Sequence, residues 1–182
     1  MLKDIIIRWA FNGGKSDKKN IIVVNKYDFP DLVELTKDRN DIAYISIEHS
    51  DNCLKYLLND KKEHYLASSD NVLNVDFDDI TEDFDYEPPL GHWFYAINEK
   101  QAKDIVDFIE NNLDKNFIIH CRAGKSRSQG ICRFILDMYK DKYNTCAANL
   151  VNPCIYPNGK VVRELKKEYY KKYNCFDINN QK

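Results

Sequence analysis

The sequence predicts an α/β fold, a central mostly parallel sheet of four to five strands flanked by helices. Three observations predict it. Short apolar runs of strand character recur along the chain, at Ile21–Val24, Ile42–Ile47, Val72–Phe77 and Phe117–Ile119. Segments with apolar residues at helical spacing alternate with them. The run at 117–119 passes through a tight loop straight into an amphipathic stretch that begins at Arg127. At 182 residues the chain is expected to form one domain spanning 1–182, with room for a proper core.

Residues 5–10 read as a strand that ends at the turn signal Asn12-Gly13-Gly14. Ile21–Val24 is the next strand. Pro30 and Asp31 open a short helix through Leu32, Val33 and Leu35, with proline in the first turn where its missing amide costs nothing. A strand at 42–47 follows, then a helix near 52–59. In Val72–Phe77 the alternation puts Val75 and Phe77 on one face. Asn98 caps a helix that runs to about Leu113, with Ile105, Phe108 and Ile109 inward. The helix from Arg127 to about Lys140 carries Ile131, Phe134, Ile135 and Met138 on its core face. Asn158-Gly159 introduces a last helix to Tyr173, whose Lys/Arg face reads as solvated surface.

Composition excludes several classes. A net charge of −2 gives no general attraction to nucleic acid or to a membrane surface. No apolar stretch reaches the length of a membrane span, and Met1–Ile7 is too short for a signal peptide. The cysteines at 53, 121, 132, 146, 154 and 175 form no Cys-x-x-Cys pair and have no histidine at zinc-finger spacing. Reduced thiols, no metal, no cofactor and a cytoplasmic location (host cytoplasm for a viral chain) are therefore expected. Gly14-Lys15-Ser16 resembles the end of a nucleotide-binding loop. That loop needs a small residue five positions before the Gly-Lys pair, where Trp9 stands, so a charged surface loop is the better reading.

The chemistry concentrates in His120-Cys121-Arg122-Ala123-Gly124-Lys125-Ser126-Arg127-Ser128. Ligands of open α/β sheets bind outside the carboxyl ends of the strands. Amides from Arg122 to Arg127, backed by the positive end of the next helix, can cradle a tetrahedral dianion. Gly124 permits close backbone approach. Surroundings this positive favour Cys121 as thiolate, the form that attacks phosphorus. Arg127 supplies a planar fork for two equatorial oxygens, which lysine could not match. Together these make a phosphoryl-transfer kit that works through a phosphocysteine. A buried core thiol beside a surface arginine is the plainer alternative, and three basic residues around a strand–helix junction argue against it.

A cysteine, five residues, an arginine and a serine resemble the signature of the cysteine-based protein tyrosine and dual-specificity phosphatases. The resemblance is sharp over 117–130 and looser from about Ile42 to Tyr173. It implies Cys121 as nucleophile, Arg127 as phosphate clamp and Ser128 as the hydroxyl that eases thiolate departure. His120 would help to order the loop. Residues 122–127 would bind the phosphate. The chain's short length resembles the compact dual-specificity branch. Asn152–Asn158 is similar to the proline-asparagine turn of small prokaryotic and viral members.

Expelling an alkoxide or phenoxide also needs a proton donor, and hydrolysing the intermediate needs a base. Between Asp76 and Glu87 lie seven acidic residues and no basic one, so this stretch, about 76–91 with its following prolines, reads as a surface loop. In the family the acid is an aspartate on such a loop. Phe77-Asp78-Asp79-Ile80 resembles the family's pattern and points to Asp79. Its separation from Cys121 is longer than usual, which keeps Asp78, Asp83 and Asp85 as alternatives. His92 and Trp93 would pack the loop down.

A phosphorylated protein is the expected substrate and partner, with no obligatory nucleic acid and no membrane insertion. Arg122 and Lys125 add charge that also suits phosphoinositides or RNA 5′-phosphates. Two further classes stay open: a non-catalytic phosphate-binding module, and a cysteine-based reductase or sulfurtransferase. The second of these does not need the Arg-Ser ending, and no second resolving cysteine lies nearby in sequence, Cys132 being on the next helix. Nothing in the residues speaks to oligomeric state.

Overall fold

A computed structural model describes residues 18–50, 64–81, 94–145 and 156–175. The expected strand at 5–10, the Gly14-Lys15-Ser16 stretch, the helix near 52–59, His92 and Trp93, and the acids Asp83 and Asp85 all lie outside the described residues. So does most of the 152–158 turn.

Within them, the order is β1 (Lys19–Asn25), α1 (Phe29–Thr36), β2 (Ile42–Glu48), β3 (Val72–Asp76), α2 (Glu99–Asn111), β4 (Asn116–Cys121), α3 (Arg127–Met138), β5 (Tyr143–Thr145) and α4 (Gly159–Lys172). The five strands form one sheet in the order β3-β2-β4-β1-β5, and every pair is parallel. This is the α/β architecture the alternation predicts. β5 was not among the expected strands. It is three residues long and follows Lys140-Asp141-Lys142, so neither length nor apolar content marks it.

Strand periodicity sorts the side chains onto two faces. Ile21, Val23, Ala43, Ile45, Ile47, Val75, Phe117, Ile119 and Cys121 point to the face covered by α2, α3 and α4. Ile22, Ile42, Tyr44, Val72 and Ile118 point to the other face, against Phe29, Leu32 and Val33 of α1. Each fully buried Ile or Phe contributes about 1.5–3 kcal/mol relative to exposure. β2 and β4 are buried along their whole lengths, as central parallel strands must be.

Helix ends follow their local chemistry. At α2 the Asn98 side chain accepts from the Gln101 amide while Gln101 bonds back to the Asn98 amide, a complete capping box. At α4 the Asn158 side chain accepts from the Val161 amide. The basic face of α4 is largely exposed, as expected, and its last two lysines also reach α2. Lys171 reaches Glu99 at 2.7 Å and Lys172 reaches Asp107 at 2.7 Å, which fastens α4 to α2. Among the described residues, no helix is long and apolar enough to cross a membrane.

Because all strands run the same way, their carboxyl ends share one edge. There the register sets Asn25 beside Cys121, Ser46 beside His120, and Glu48 beside Asp76. The residues that follow those strand ends build the site.

Candidate active site

β4 delivers His120 and Cys121 to the sheet edge, and residues 122–126 turn back into α3. Gly124 makes that turn possible. Its φ is +67°, and a Cβ there would lie 2.7 Å from the Val24 carbonyl carbon and 2.9 Å from the Asn25 nitrogen. Any side chain would push the loop off β1. The Lys26 amide donates to the Arg122 carbonyl at 3.2 Å, and Gln129 donates from inside α3 to the Gly124 carbonyl at 3.1 Å. The loop is thus braced from both sides.

Cys121 is buried, with Sγ 3.1 Å from the Ser128 hydroxyl. Ser126 stands at the N-cap of α3 but makes no capping bond. Its hydroxyl donates instead to Asp79 Oδ1 at 2.6 Å. The first-turn amides of α3 therefore keep their positive end without a side-chain cap, the local arrangement that attracts an anion. Around it Arg122 is half-buried, and Ala123 and Lys125 are exposed.

Arg127 is almost wholly buried, and three of its donors are used internally. Nη1 donates to the Glu48 carbonyl at 3.1 Å and to the Phe77 carbonyl at 2.7 Å. Nη2 donates to His49 Nε2 at 3.3 Å. A guanidinium has five N–H donors. The remaining two are Nε–H and one proton of Nη2, and buried Nε has no partner among the described residues. A fork of this shape can pair with two oxygens of one oxyanion.

The two adjacent carboxylates after β3 are placed differently. Asp78 is buried and accepts from the Ser50 amide at 3.1 Å, the Ser50 hydroxyl, the Tyr95 amide at 2.8 Å and His49 at 3.2 Å. Burial alone would raise its pKa. The bonds from His49, Ser50 and Tyr95 outweigh burial and hold it at about 2. Asp79 is exposed, and Oδ1 receives the Ser126 hydroxyl at 2.6 Å and the Asn158 amide group at 2.8 Å. Of the two, Asp79 is the one in contact with the signature loop.

His120 stacks on Phe29, with ring centroids 4.0 Å apart. Burial first, then the charges of His64, Lys26 and Arg127, push its pKa down to about 3, so it is neutral at ordinary pH. Its Nε2 lies 2.7 Å from Ser46 Oγ, which lies 2.7 Å from His64 Nδ1, and His64 Nε2 lies 2.8 Å from Asp76. These four side chains form one hydrogen-bonded chain from β4 to the end of β3. Three residues of this chain and the His49 contact were absent from the expected site, since no spacing in the sequence links them to Cys121. Asn158 was expected only as a turn residue. It joins α4, Asp79 and the loop, through its own amide on the Ser126 carbonyl at 3.1 Å.

Among the described residues, no group of three or more His, Cys, Asp or Glu could hold a metal ion. No protein-family model and no curated protein matches the chain. Among solved structures it is similar to DUSP15, with 17% identity and a TM-score of 0.43 over 85% of this chain and 86% of that one. What the chain can do is therefore carried by its own geometry.

Proposed function

We propose that the chain is a phosphomonoester hydrolase that works through a phosphocysteine intermediate on phosphorylated proteins. One observation carries this reading. A buried cysteine sits on a loop of open helix amides beside a buried arginine whose Nε has no hydrogen-bond partner among the described residues, next to an Nη2 that bonds only His49 there.

In the first step Cys121 Sγ attacks phosphorus as the ester P–O bond breaks. The departing oxygen takes a proton from Asp79, while the Arg127 fork and the loop amides hold the equatorial oxygens. Asp79 Oδ1 is occupied by Ser126 and Asn158, so the proton would travel on Oδ2. In the second step Asp79 takes a proton from water, the water oxygen attacks phosphorus, and the P–S bond breaks. The Ser128 hydroxyl, 3.1 Å from Sγ, stabilises the thiolate as it leaves. Asp78 suits this role less well, since it is buried and already satisfied by four donors.

The reading includes a single domain of the compact dual-specificity type and a cytoplasmic setting. Arg122 and Lys125, half-buried and exposed beside the loop, favour a second reading in which the substrate is a polyanion such as a phosphoinositide or an RNA 5′-phosphate.

Hydrolysis of an aryl phosphate by wild type and by Cys121→Ser tests the mechanism. Loss of turnover in the variant is expected, and equal activity would end the proposal. Asp79→Asn should slow turnover by about two to four orders of magnitude, the range of general acid–base catalysis. Unchanged turnover in Asp79→Asn would return the role to Asp83 or Asp85. A panel of phosphopeptides, phosphoinositides and triphosphorylated RNA then ranks the substrates.

A further inference from the structure

Arg127 does not sit in its pocket by backbone contacts alone. His49, the first residue after β2, lies between two charged groups from different parts of the chain. Its Nε2 is 3.3 Å from Arg127 Nη2, and its Nδ1 is 3.2 Å from Asp78 Oδ1. The side chain is only 14% exposed, so water is not a ready substitute on either side.

The chemistry of the two neighbours fixes the ring. A guanidinium nitrogen can only donate, so Nε2 must accept and cannot carry a proton. A carboxylate can only accept, so the single ring proton belongs on Nδ1. Asp78 stays ionised down to about pH 2, so the acceptor for that proton stays in place. The Asp78 carboxylate is itself locked by Ser50 and the Tyr95 amide.

We propose that His49 is a positioning residue for the oxyanion clamp. It holds Arg127 Nη2 through an acceptor nitrogen whose tautomer Asp78 imposes. With Nη1 tied to two carbonyls, the His49 contact takes up the Nη2 proton that is not part of the fork. The plane of the guanidinium is then fixed, and Nε–H and the second Nη2–H stay together for one ligand. This inference rests on Arg127 being the clamp of the proposed reaction. A proton on His49 Nε2 would point one N–H at another and break the contact. Of the charged groups near the ring, Asp78 from the loop after β3 and Arg127 from α3 bond to it, whereas Glu48 from the end of β2 is paired with Lys26 at 3.2 Å. Asp79, the neighbour of Asp78, bonds to Ser126 and Asn158 rather than to this histidine.

The experiment measures binding of tungstate, an oxyanion that mimics phosphate, to the full chain by calorimetry at neutral pH. His49→Phe removes the acceptor and should weaken tungstate binding by about tenfold, the worth of one charge-assisted hydrogen bond. His49→Gln keeps an acceptor oxygen at the reach of Nε2 without a titratable proton, and should stay within about threefold of wild type. Equal tungstate affinity in His49→Phe and wild type would overturn the proposal, as would a His49→Gln variant as weak as His49→Phe.

Should His49→Phe fail to fold, the nitrogen NMR spectrum of the wild-type histidines decides. The Nδ1–H tautomer of His49 is expected, with an Nε2 signal that moves in Arg127→Lys, and an Nε2–H tautomer would overturn the proposal. Neither readout requires turnover. A chain that binds tungstate through His49 and Arg127 but hydrolyses no aryl phosphate would refute the catalytic reading and leave the positioning role standing.

Discussion

The two ends of the signature loop are held by different kinds of structure. At the Cys121 end the support is the sheet itself. β4 is buried throughout, its register with β1 and β2 places Cys121 beside Asn25 and His120 beside Ser46, and the histidine stacks on Phe29. Its polar partners, Ser46, His64 and Asp76, form a line of hydrogen bonds ending in one half-exposed carboxylate. At the Arg127 end the support is a set of groups brought in from far along the chain. The carbonyls of Glu48 and Phe77 lie 79 and 50 positions away in sequence, and His49 lies 78 away. That end also contains a charged group, the buried Asp78 carboxylate, bonded to His49. The proposed nucleophile is held by its place in a rigid strand, and the proposed clamp has its plane set from several directions.

The largest effect of breaking this contrast should follow from Arg127→Lys. Lysine keeps the charge, but it cannot satisfy two carbonyls and His49 and still present two donors to an oxyanion. Turnover of an aryl phosphate, as kcat/KM, should fall by about 10²–10³-fold, as when an oxyanion donor is lost. A fall of less than about threefold would show that the fork is not what holds the transition state.

The same contrast explains which parts were legible from residues alone. Cys121, Gly124, Arg127 and Ser128 stand in one continuous run, so spacing and residue type suffice to place them on a strand, a loop and a helix start. Capping and periodicity likewise announce α2 through Asn98 and Ile105. His49, Asn158 and Ser46 are ordinary polar residues in their own segments. Their roles come from strand order, which brings the ends of β2 and β3 to the ends of β4 and β1, and strand order is a property of tertiary packing. Asp78 and Asp79 were distinguished by a sequence pattern only in part. Their different fates depend on where Ser50 and Tyr95 lie, and no local signal encodes that. β5 escaped notice for a simpler reason, its three residues carrying too little apolar content.

Next in size is Asp78→Asn, which acts on the Arg127 end through stability. The folded pKa lies at about 2 against an ordinary 3.8. A depressed carboxylate stabilises the fold fully above the unfolded value and loses that contribution as pH falls through the folded one. The shift corresponds to about 2 kcal/mol at neutral pH, because each pKa unit is about 1.4 kcal/mol. The asparagine variant should unfold at lower urea, with a stability loss of that order at pH 7 that shrinks as pH is lowered toward 2. A loss that does not shrink would show that shape at this position matters more than charge.

The smallest effect concerns the Cys121 end, and it occupies a different pH window. Burial, together with the charges of His64, Lys26 and Arg127, holds His120 at about 3 against an ordinary 6.5. Between those values the unfolded chain binds a proton that the folded chain does not, so stability rises with pH across the window. The contribution is complete above 6.5 and is lost as pH falls toward 3, by at most about 1.4 kcal/mol per pH unit. Asp78 contributes no slope there until pH approaches 3.8. The two ends can therefore be separated by pH alone. Urea unfolding at pH 7.5, 6.5 and 5.5 should show little change in the first interval and a loss of about 1 kcal/mol in the second. His120→Gln keeps a donor for Ser46 but has no proton to gain, and should flatten the second interval. If the two proteins lose stability equally between 6.5 and 5.5, the acid sensitivity belongs to groups other than His120, and burial of His120 is not what ties the Cys121 end to pH.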